Sequence, residues 1–146
     1  TSFPSSPNTD FLKENNVKEV VNAEQKNRTY YFVTPGNIEL VDGVPTQKYT
    51  NTAKAIDDST TDGITNPGLK TNMTNRVKIN AGQLLSHTDW MVIRKYERDV
   101  AIPSATATYR AAVITECTRL ESAIAGAGDV DALATVMSAQ NWPAES

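Results

Sequence analysis

Histidine and cysteine are almost missing from these 146 residues, which hold one of each, His87 and Cys117. A lone cysteine cannot close a disulfide within the chain, and a lone histidine cannot build a zinc site without several carboxylates beside it. Cys117 falls inside an apolar helical pattern and His87 in a polar linker, so they read as a structural thiol and a solvated imidazole, not as a nucleophile and its base. Glycine-rich phosphate loops, G-x-S-x-G, H-E-x-x-H and carboxylate pairs in an apolar frame are missing too. No enzyme activity, metal or cofactor is expected. The cluster Asp57, Asp58 and Asp62 lacks the ligand spacing of a calcium loop.

Positive charge is also short. Lys and Arg number 14 against 17 Asp and Glu, the net charge is −3 and the pI is near 5.1, which excludes nucleic acid and anionic lipid as partners of a basic field. No apolar run reaches the roughly 18–20 residues that span a bilayer, and the first residues, Thr1 to Pro7, lack the basic-then-apolar layout of a signal peptide. A protein made in the cytoplasm is expected, with no membrane association. Asn27 and Asn72 open Asn-x-Thr triplets, which carry little weight without such a signal.

What the chain does have is neutral polarity: 18 Thr, 12 Asn and 9 Ser outnumber the charged residues. Residues 1–16 hold two prolines in a Ser/Asn/Thr background, with only Phe3, Phe11 and Leu12 as anchors, and read as an extended arm. Residues 17–50 read as a small antiparallel hairpin or meander. Arg28 to Val33 is a β-branched and aromatic run, Pro35-Gly36 suits a type II turn, Ile38 to Val41 is the next strand, and Asp42-Gly43 turns the chain into Val44-Pro45-Thr46. Pro45 would remove a ladder donor, which predicts an edge or return segment there. Residues 51–75, with Asp62-Gly63 and Asn66-Pro67-Gly68, read as a long polar loop.

Residues 76–146 read as a three-helix module, giving an α+β chain. Thr88 and Asp89 are N-cap candidates for residues 90–98, where Trp90, Ile93 and Glu97, or Val92 and Tyr96, share faces. Pro103 breaks that helix and starts the next. Tyr109, Val113, Cys117, Leu120 and Ile124 recur at spacings of 4, 4, 3 and 4, predicting an amphipathic helix over about residues 104–125. Gly126 and Gly128 end it, and Asp129 opens a third helix carrying Val130, Leu133, Ala134 and Met137. Trp142 is expected to fold back over the helices, since burying an indole is worth ~2 kcal/mol. The expected helical core is therefore Trp90, Ile93, Tyr109, Val113, Cys117, Leu120, Ile124, Leu133, Met137 and Trp142. Arg94, Lys95, Arg98 and Arg110 alternate with acids and read as a solvated, salt-bridged face.

The segments Leu84-Leu85-Ser86-His87-Thr88-Asp89-Trp90-Met91-Val92-Ile93-Arg94, Ile102-Pro103-Ser104, Tyr109-Arg110-Ala111-Ala112-Val113 and Asn141-Trp142-Pro143 together resemble a C-terminal module of tailed bacteriophages. Phage tail-assembly chaperones, tail-fibre assembly proteins and the ends of some virion structural proteins show a similar order, most closely in marine and cyanobacterial phages. The likeness spans about residues 84 to 143. The shorter chaperone forms lack the stretch from Gly126 to Ala139, and nothing before residue 76 matches them. The resemblance implies a phage protein.

Taken with the arm, hairpin and polar loop, it leads to the expectation of a multi-copy virion structural protein of the tail, baseplate or fibre attachment, with capsid decoration second. Its partners would be other virion proteins and copies of itself, met through Phe3, Phe11, Leu12, Tyr30, Tyr31 and Phe32, and it would reside in the virion after synthesis in the host cytoplasm. The competing expectation is a tail-assembly chaperone, absent from the particle, that binds a client through a face of Trp90, Ile93 and Tyr109.

Overall fold

A computed structural model describes residues 9–14 and 17–144. In chain order the elements are α1 (Thr9–Glu14), β1 (Val21–Asn22), β2 (Tyr31–Val41), β3 (Val44–Ala53), β4 (Ser59–Thr61), β5 (Ile64–Asn66), α2 (Leu69–Ser86), α3 (Asp89–Arg98), α4 (Ser104–Gly126) and α5 (Val130–Ser138). The fold is α+β, and the chain divides into two compact units, residues 1–53 and 54–146.

In the first unit Asp42-Gly43 makes the turn that its composition favours. Both residues take positive φ, 49° and 76°, as a two-residue type I′ hairpin requires. The strands β2 and β3 pair antiparallel from Val41 opposite Val44 out to Tyr31 opposite Ala53. Pro35-Gly36 is not a turn: Gly36 is not among the glycines at positive φ, and β2 runs straight through it. Between Pro35, opposite Tyr49, and Ile38, opposite Gln47, the two residues Gly36 and Asn37 face the single Lys48, which is a β-bulge. The Gln47 side-chain amide donates to the Gly36 carbonyl at 2.7 Å.

The return strand is central, not an edge, since the sheet order is β1-β3-β2. Pro45 is tolerated because β1 pairs with β3 only at Thr46 and Gln47, so the proline faces no ladder on that side. The first described segment is also not fully extended: residues Thr9–Glu14 form one short helix.

In the second unit the stretch expected as a loop is structured. Asp62-Gly63 repeats the type I′ geometry, with φ of 53° and 75°, and joins β4 to β5. Helix α2 then begins at Leu69, so the helical module has four helices among the described residues instead of three. Its first backbone donors are taken by the preceding chain: Leu69 N–H donates to Ala55 O and Lys70 N–H to Ile56 O, both at 3.0 Å. Gly68 N–H donates to the Asp58 carboxylate at 2.7 Å. A side chain at Gly68 would overlap the Asp57 carbonyl and come within 2.7 Å of Ile56 O, so this crossing needs glycine.

The core of this unit is the seam where Leu69, Met73, Val77 and Ala81 of α2 meet Tyr109, Val113, Leu120 and Ile124 of α4, closed by Val130 and Leu133 of α5. Leu120, Ile124, Leu133, Val77 and Val113 are fully enclosed. Cys117, Met137 and Trp142 are half-buried at its margin, and Trp142 does fold back onto the cluster of Ala81, Tyr109 and Val113. Trp90 and Ile93 are not core: they stand 52% and 57% exposed, because helical spacing fixes which residues share a face but not which face meets the bundle.

Candidate assembly surfaces

The bulge in β2 decides what the hairpin presents. Alternation along an unbroken strand would put Pro35 and Ile38 on opposite faces, but the extra residue resets the register. Tyr31, Val33, Pro35, Ile38 and Leu40 therefore form one row, facing the same way as their partners Ala53, Asn51, Tyr49, Gln47 and Pro45. The row is apolar along its whole length. It is covered at Tyr31, half-covered at Val33 and bare towards the hairpin tip, where Ile38 is 55% and Leu40 is 73% exposed. Among the described residues no strand lies outside β2; along that edge Tyr31 N–H is taken by Asn27 O and Pro35 has no donor to offer, so it is the stretch towards the hairpin tip that stays open.

Little in the first unit is buried in return: Tyr30, Tyr31 and Thr46. Tyr30 and Tyr31, expected to meet a partner, instead anchor their own unit. The Lys26 ammonium donates to the Tyr31 hydroxyl at 3.0 Å and lies 4.4 Å from the centre of its ring. Phe32, on the opposite face, is exposed. Leu12 is half-buried on α1, while Phe3 and the Phe11 side chain lie outside the described residues.

In the second unit one side chain holds together residues that are distant in sequence. Arg110 of α4 donates through Nη1 to Leu85 O at 2.9 Å and Thr88 Oγ1 at 2.7 Å, and pairs with Asp89 Oδ1 at 2.9 Å. This pins the corner between α2 and α3. A second latch holds the C-terminal tail: buried Glu116 takes both forks of Arg119 at 2.7 Å and the Asn141 N–H at 2.7 Å, and Arg119 also donates to Ala139 O at 3.0 Å. The Arg119 guanidinium holds the Glu116 carboxyl below its ordinary value of 4.5.

The Arg110 contacts gather Leu85, Thr88 and Asp89, and Leu85 packs with Trp142 against the cluster of Ala81, Tyr109 and Val113, forming one structural knot, a role for Arg110 that the reading of a solvated basic face misses. Comparison with protein-family models, curated proteins and solved structures finds no match to this chain.

Tyr109 is buried inside the knot, so it does not share a surface with exposed Trp90 and Ile93. The Cys117 thiol is pushed above its ordinary value of 9.0 by burial and then by its hydrogen bond to Glu121 at 3.3 Å, which keeps it protonated at neutral pH. A groove of about 460 Å³ runs between the start of α4 and the tail, walled by Ser104, Ala105, Thr108, Tyr109, Ala112 and Pro143. Among the described residues no three His, Cys, Asp or Glu side chains gather where they could hold a metal ion, and no helix is long and apolar enough to cross a membrane.

Proposed function

We propose that this chain is a multi-copy structural protein of a bacteriophage particle that works by protein–protein contact, with its hairpin as the docking element. The observation that carries the reading is the hairpin itself, with a bare apolar row from Pro35 to Leu40 beside an open strand edge and, among the described residues of that unit, only Tyr30, Tyr31 and Thr46 buried. Such a sheet is marginal alone and gains from a neighbour that adds a strand or covers the row. Placement in a phage particle is supported by the order of Leu84-Leu85, Thr88-Asp89-Trp90, Tyr109-Arg110 and Asn141-Trp142-Pro143. Tail, baseplate or fibre attachment is the favoured position.

Quantitative mass spectrometry of purified particles tests this. Recovery in a fixed, multiple stoichiometry with the other virion proteins is expected. Presence in infected cells together with absence from mature particles would sink the reading and favour an assembly chaperone.

A further inference from the structure

Helix α3 carries its apolar side chains on the outside. None of its residues is buried, and Tyr96 is 93% exposed beside the half-exposed Trp90, Ile93 and Val92. At 3.6 residues per turn these four occupy one arc of about 160°. Arg94 is half-buried instead: its guanidinium lies 4.8 Å from the centre of the Trp90 ring, and its Nε is shielded from water with no acceptor. Lys95 pairs with Asp99 and Asp89 with Arg110, while Arg98 projects from the side of the helix away from the apolar arc. Glu97, inside the apolar arc, has no ion pair among the described residues, and neither has Arg94.

We propose that this face binds the same face of a second copy, antiparallel, about a two-fold axis beside Lys95 and Tyr96. A two-fold contact must be self-complementary, each residue meeting its counterpart reciprocally. With the axis there, Glu97 meets the partner's Arg94 and Arg94 meets the partner's Glu97, so the acid and the guanidinium left unmatched in one chain neutralise each other twice. The exposed parts of Trp90, Val92, Ile93 and Tyr96 amount to roughly 500 Å² on each copy, so the pair covers about 1,000 Å², the lower bound for a specific interface. Contacts of this size belong to the weak, transient class, so association is sought in the micromolar range and above. The pairing is independent of the particle assignment: a chain missing from virions can still dimerise, and a monomeric chain can still be a virion protein.

Sedimentation equilibrium on the full chain, from about 1 to 500 μM, tests it. The wild type is expected to move from monomer to dimer across this range. Ile93→Asp is expected to stay monomeric with a nearly unchanged circular dichroism spectrum and melting temperature, since more than half of the side chain it replaces is exposed and none of α3 is buried. Glu97→Arg sets two guanidinium groups face to face and weakens the dimer about tenfold or more, and adding Arg94→Glu restores it to within about threefold. A wild type that is monomeric throughout, an Ile93→Asp dimer as tight as wild type, or a double variant as weak as Glu97→Arg would each overturn the proposal. The first outcome would leave the face to a different protein, and the second would move self-association to another surface.

Discussion

Glu116 sits where a buried carboxylate is most costly unless matched, and it is matched three times, by two forks of Arg119 and by the Asn141 amide. Because its pKa is lower folded than unfolded, the unfolded state binds its proton first. Its contribution to stability is therefore complete above the ordinary value of 4.5 and is lost as pH falls through the depressed folded value. Asp58 is shifted in the same direction, by the Gly68 amide first and the Thr71 hydroxyl second, and adds to the same acid-side loss. Glu116→Gln is expected to cost about 1–2 kcal/mol at neutral pH, since Arg119 is partly solvated and the bond is correspondingly weakened. Urea unfolding at pH 7 and pH 3 checks this: the gap between wild type and variant should be full at the first and should shrink at the second.

At the scale of elements, the start of α2 is a tight junction. Its capping comes from backbone carbonyls of Ala55 and Ile56, and a methyl group at residue 68 has nowhere to go. Gly68→Ala is expected to destabilise the helical unit by about 1–3 kcal/mol, the usual cost of forcing atoms into a packed site, with the loss read as a lower urea midpoint at unchanged slope.

This junction was also the least legible part of the sequence. Helix α2 is rich in Thr and Asn, carries Gly82 in its interior and opens without a Ser, Thr or Asp cap, so propensity points to loop. The legible signal was the spacing of Leu69, Met73, Val77 and Ala81, each four residues apart, which tertiary packing against α4 turned into a helix. Asp42-Gly43 was read as the turn it is, because positive φ at both positions is a local demand that Asp and Gly meet. Pro35-Gly36 misled because the same dipeptide suits a bulge within a strand, and only the cross-strand register tells the two apart. Along α4 the stripe of Tyr109, Val113, Leu120 and Ile124 faces a partner helix and is buried, with Cys117 half-buried at its margin. The expected core fails on α3, where Trp90 and Ile93 form an equally good stripe facing outward.

The two units differ in how far they stabilise themselves. Residues 54–146 enclose a continuous apolar seam, whereas the described part of residues 1–53 buries Tyr30, Tyr31 and Thr46 and leaves Ile38 and Leu40 exposed. The bulge in β2 sets Pro35, Ile38 and Leu40 on one face of the hairpin, where the proposed contact would be made. The proposed role requires a neighbouring chain to complete the hairpin. Hydrogen exchange over Tyr31–Val41, compared between the free chain and purified particles, measures this directly. Amides of β2 that exchange rapidly in the free chain, while those of α2 and α4 are slow, and that become protected in particles are the predicted result. Equal exchange of β2 in the two states would contradict it.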